Sequence, residues 1–83
     1  MMQRYPSLIP QFTIETIDGS RLGKLGVPLS QISDWLNFLV TPHYQAEIIS
    51  AEQEKDWINI YFEAGEGLYT YLDRRLSRYR EAA

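Results

Sequence analysis

Trp57-Ile58-Asn59-Ile60-Tyr61-Phe62-Glu63 is the stretch that decides the fold. It is built of β-branched and aromatic residues and alternates as a strand does: Ile58, Ile60 and Phe62 share one face, Trp57, Asn59, Tyr61 and Glu63 the other. The aliphatic face is suited to burial beneath helices. The opposite face carries large aromatic rings of its own, so it calls for either a cover or a partner.

The neighbouring segments extend this strand into a sheet. Upstream, Tyr44, Ala46 and Ile48 alternate with Gln45, Glu47 and Ile49 in a second strand, Tyr44 to Ser50. The short polar connection Ala51 to Asp56 makes the two an antiparallel hairpin. Downstream, Ala64-Gly65-Glu66-Gly67 reads as a loop. A helix then follows from Leu68 to Arg80, with a stripe of Leu68, Leu72, Leu76 and Tyr79 flanked by Tyr69 and Tyr71. Arg74, Arg75, Arg78 and Arg80 crowd its last turns, where cations complement the helix dipole.

Further upstream, Pro28 to Val40 reads as another helix. Leu29, Ile32, Leu36 and Leu39 form its stripe, Trp35 and Phe38 widen it, and Ser30 is the candidate cap. Thr41-Pro42 ends it, because proline disfavours helical geometry in the residue before it. Phe12 to Ile17 is a strand, and Asp18-Gly19 a tight-turn signal. Ser20-Arg21-Leu22 can begin a return strand that Gly23 and Gly26 then break. Pro6 and Pro10 make residues 1–10 an irregular N-terminal arm.

The expected fold is therefore α+β, a single domain over residues 1–83. It is a small two-layer sandwich, with a three-stranded, largely antiparallel sheet carrying two helices on one face in the order β-α-β-β-α. The chain has no internal repeat.

Composition narrows the chemistry. The chain has 83 residues, 45% of them hydrophobic, a content that suits a folded rather than a disordered chain. It has no cysteine and one histidine, His43, which follows a helix-ending proline and has no nucleophile or second histidine nearby in sequence. Glu52, Glu54 and Asp56 fail the calcium-loop pattern, because no glycine follows at the required place. No catalytic residue, metal ligand or cofactor site is assigned, and the expectation is a protein that is not an enzyme. The absence of cysteine and of an apolar leader points to the cytoplasm. No apolar run approaches the roughly 18 residues of a membrane span.

Charge and aromatic content supply the functional reading. Two Trp, six Tyr and three Phe give the chain many of the side chains that anchor interfaces. Residues 43–66 carry Glu47, Glu52, Glu54, Asp56, Glu63 and Glu66 against Lys55, whereas residues 67–83 are net basic. The preferred reading is a protein-binding module such as a regulatory subunit, inhibitor or adaptor. Trp57, Tyr61, Ile49, Glu47, Glu52 and Glu54 would form its contact surface, facing a basic partner protein or a second copy of the chain.

The second reading concerns Leu22-Gly23-Lys24-Leu25-Gly26-Val27-Pro28-Leu29-Ser30-Gln31-Ile32, which resembles the GxxG loop and following helix of KH-type RNA-binding domains. The resemblance implies nucleic-acid contacts by Gly23, Lys24 and Gly26. Arg74 and Arg78 would add a basic patch. The net charge of −3 sets this behind the first reading, because phosphate contacts need positive charge.

Overall fold

The computed structural model describes the backbone of residues 9–82 and the side chains of residues 9–76. Four strands and two helices follow one another: β1 (Gln11–Ile17), β2 (Ser20–Pro28), α1 (Ile32–Leu39), β3 (Glu47–Glu54), β4 (Trp57–Glu63) and α2 (Glu66–Ala82). A 3-10 turn, Leu29–Gln31, leads into α1. The α+β class and the two helices agree with the sequence. The sheet has four strands rather than three, in the order β1-β2-β4-β3, with every pairing antiparallel. Of the expected N-terminal arm, residues 1–8 lie outside the described residues.

The additional strand is β2, and it runs straight through Gly23 and Gly26 to Pro28. Asp18 and Gly19 both adopt positive φ, 52° and 82°, and turn β1 back on β2 so that Ile17 pairs with Ser20. Pro28 closes the strand opposite Trp57 rather than opening a helix, and the Leu29 N–H donates to the Asp56 carbonyl at 2.8 Å. The helix expected from Pro28 is thus shortened. Its N-cap is Gln31, without a side-chain capping bond, so Ser30 is not the cap. Asp34 lies in the first turn, where the dipole favours an anion.

Alternation and register sort the sheet into rows. Phe12, Leu25 and Ile60 lie side by side, as do Ile14, Gly23, Phe62 and Ile48. Phe12, Leu25, Val27, Ile60 and Phe62 form one buried cluster with Leu39 of α1 and Leu68, Tyr69, Leu72 and Leu76 of α2. Both helices therefore lie on one face of the sheet. Each fully buried side chain of this size stabilises by about 1.5–3 kcal/mol relative to exposure.

Gly23 is part of that packing. A Cβ there would stand 2.6 Å from Phe62 Cζ and 3.0 Å from Tyr69 Cε1, so the missing side chain is what lets the two rings close over β2. Tyr69 is core rather than flanking, at 3% exposure. Its hydroxyl accepts from the Ala64 N–H at 3.0 Å and lies 3.3 Å from the Arg21 carbonyl, to which it can donate. This ties the entry of α2 to the start of β2. Outside the core, Arg21 forms a bidentate pair with Glu66 in the first turn of α2, at 2.9 and 3.0 Å. Hydrogen bonding to the guanidinium holds the Glu66 carboxyl below its usual value, and the same bond raises Arg21.

The β3–β4 hairpin is tighter than the sequence suggests. β3 starts at Glu47 rather than Tyr44 and runs to Glu54, leaving only Lys55 and Asp56 in the turn, with Lys55 at φ 56°. The register slips between Ile48 and Ser50, which makes Ile49 an extra residue in a β-bulge.

Candidate functional site

The sheet face turned away from the helices is where the candidate contact residues meet. Three rows cross it: Gln11, Gly26, Asn59 and Glu52; Thr13, Lys24, Tyr61 and Ser50; Pro28, Trp57 and Glu54. At the opposite end Glu47 stands across from Glu63. Trp57 and Tyr61 are half-buried and belong to no part of the core cluster. They lie four residues apart on β4, about 13 Å along the strand. Glu47, Glu52 and Glu54 are exposed, and Ile49 is 48% exposed at the bulge. All six residues singled out in the sequence thus sit on β3 and β4.

Gly26 shapes this face much as Gly23 shapes the other. A Cβ on Gly26 would lie 2.8 Å from Asn59 Oδ1 and 3.6 Å from two carbons of the Trp57 ring, so the indole lies against bare β2 backbone.

The electrostatics of the face are one-sided. Lys24 supplies its cation, 3.6 Å from the Glu15 carboxylate and 5.9 Å from the centroid of the Tyr61 ring. That lysine is already engaged with one carboxylate and one ring. Glu47, Glu52, Glu54 and Glu63 remain around Trp57 and Tyr61, and among the described residues none of them forms an ion pair. In water such a surface repels anions and attracts a complementary basic one over about a Debye length, some 8 Å at physiological salt.

The residues assigned to nucleic acid do not assemble. Gly23-Lys24-Leu25-Gly26 is the middle of a paired strand, and there is no GxxG loop. Gly23 faces the core, Gly26 lies under Trp57, and Lys24 sits on an acidic face. Arg74 is exposed on α2, which packs against the opposite side of the sheet, and the Arg78 side chain lies outside the described residues.

A second aromatic group went unnoticed in the sequence. Phe38 contacts Trp35, Tyr44 and Tyr71 with centroids at 5.6, 4.7 and 6.2 Å. Arg75 caps the group, donating to the Tyr71 hydroxyl at 2.8 Å and lying 6.0 Å from the Trp35 ring. The Tyr71–Arg75 spacing of four was the available signal. These rings pack on one another, and Trp35, Phe38 and Tyr44 also pack on the core, so they fasten α1 to α2, while Tyr71 stays 41% exposed. His43 is exposed and stands edge-on to Tyr44 at 4.8 Å.

Among the described residues no group of three or more His, Cys, Asp or Glu is placed to hold a metal ion. Among the described residues no helix is long and apolar enough to cross a membrane. No protein-family model matches the chain, and neither does a curated protein or a solved structure.

Proposed function

We propose that this chain is a small, non-enzymatic, cytoplasmic protein-binding module whose open sheet face docks a basic surface of another protein. A regulatory subunit, inhibitor or adaptor would work in this way. The observation that carries the reading is the asymmetry of the sheet. One face lies beneath α1 and α2, while the other presents Trp57 and Tyr61 among carboxylates, with its lysine already paired. Rigid aromatic rings supply contact area at low entropic cost and commonly anchor interfaces. The surrounding charge would steer a basic partner and reject like-charged ones.

The test is capture of partners from host lysate at moderate salt, in nuclease-treated and untreated arms. A protein retained in both arms by the parent, lost by Trp57→Ala and by Tyr61→Ala, and retained less as salt rises supports the reading. If both alanine variants hold that protein as the parent does, the docking face is wrongly assigned. Retention that vanishes with nuclease would return nucleic acid to first place.

A further inference from the structure

We infer that the free edge of β3 receives an extended segment of the basic partner as a fifth strand, with lysine or arginine at alternate positions on the open side of the sheet. This deepens the docking reading and rests on it.

β3 ends the sheet, and among the described residues it pairs with β4 alone. An edge strand turns alternate backbone N–H and C=O groups outward, and these accept another strand wherever side chains permit. From Ile49 to Glu54 every residue is exposed, on both sides of the strand. The bulge at Ile49 interrupts the ladder, which leaves Ser50 to Glu54 as the regular stretch. Five residues make a docking edge about 17 Å long.

The side chains of that stretch choose the occupant. Glu52 and Glu54 lie in the rows of Asn59 and Trp57, on the open face, while Ala51 and Gln53 alternate with them and are uncharged. An incoming strand would therefore meet the Ser50 hydroxyl and the Glu52 and Glu54 carboxylates on the open face, with neutral groups between. A second copy of β3, paired antiparallel about Glu52 or Gln53, would set glutamate against glutamate, an unfavourable cross-strand pairing. A basic strand would set a cation beside each carboxylate.

The sheet already contains this arrangement once. Lys24 of β2 sits between the Glu15 carboxylate of β1 and the Tyr61 ring of β4. At the other edge Glu54, paired with Trp57 of β4, has no lysine beside it, and among the described residues no strand lies beyond. A lysine from outside, laid beside Glu54, would repeat the pairing of Lys24 with Glu15. At the β1 edge the equivalent carboxylate is already taken by Lys24, so the two edges are not equivalent.

The test is a titration of the purified full chain with acetyl-Lys-Val-Lys-Val-Lys-amide, followed by amide shifts and hydrogen exchange. Saturable shifts and added protection confined to the β3 amides, with a response of the Trp57 indole, are expected. Glu52→Gln combined with Glu54→Gln should weaken binding roughly three- to tenfold. The peptide with glutamate replacing lysine should not bind. Peptides N-methylated on either alternate set of residues separate strand addition from charge attraction, because one set must lose its backbone bonds. If both methylated peptides bind like the parent peptide, if shifts centre on β1 or α2, or if millimolar peptide does not bind, the strand-addition proposal fails. Capture still lost in Trp57→Ala, with methylation harmless, overturns the added strand alone. Peptide binding at β3 with capture insensitive to Trp57 and Tyr61 overturns the docking face instead.

Discussion

The two faces of this one sheet carry similar residues to opposite ends. Under the helices, Gly23 makes room for Phe62 and Tyr69, which are dry and interlocked. On the far side, Gly26 makes room for Trp57, which stays half-exposed beside Asn59. Each face thus has a strand glycine beneath an aromatic ring. What differs is whether any described residue lies above the ring. A ring held from both sides stabilises the fold, whereas a ring held from below only is a contact surface positioned by a rigid sheet.

Truncation within the packed face should show the largest effect. Phe62→Ala should cost about 3–5 kcal/mol in chemical denaturation, because Phe62 is fully buried and its neighbours cannot collapse into the void. The glycine pair is a sharper probe. Gly23→Ala should cost about 1–3 kcal/mol, since its new methyl meets two packed rings. Gly26→Ala should cost less than about 1 kcal/mol, because the atom it meets is the end of the Asn59 side chain on an open face. Equal costs at the two positions would mean that the open face is as tightly packed as the other.

Smaller still, Trp57→Ala should lower stability by about 1–2 kcal/mol while abolishing partner capture, so that binding and folding separate at this residue. The smallest effect belongs to the Arg21–Glu66 pair, whose members are exposed. The Glu66 carboxyl titrates below its usual value in the folded chain. Its contribution is present above that usual value and is lost as pH falls through the lowered one. Glu66→Gln should therefore differ from the parent at neutral pH and converge with it as acid protonates the Glu66 carboxyl, as read by the denaturation midpoint.

Much of this could be read in the chain, and the errors have a common cause. Leu68, Leu72 and Leu76 gave the buried stripe of α2, and Ile60 and Phe62 gave the core side of β4. The alternation around Trp57 and the acidic run at Glu52 and Glu54 marked the open face, and the register brings them together. β2 is hidden in the sequence because Gly23, Gly26 and Pro28 all argue locally against a strand. Their role depends on Phe62, Tyr69, Asn59 and Trp57, residues 29 to 46 positions away. Local propensity cannot weigh a contact of that kind. The extent of β3 was misjudged for a related reason: Ala51 to Glu54 are polar and exposed, and only pairing with Ile60 to Trp57 makes them a strand.

The bulge at Ile49 bears on how this chain can change over time. In a regular strand, losing one residue swaps the faces of everything on one side of the gap. Here Ile48 already pairs with Phe62 and Ser50 with Tyr61, so Ile49 has no place in the ladder. Deleting it would leave Ile48 towards the helices, and Glu52 and Glu54 on the open side. Position 49 is therefore a spot in the sheet where the chain can shorten by one residue and keep both faces in phase.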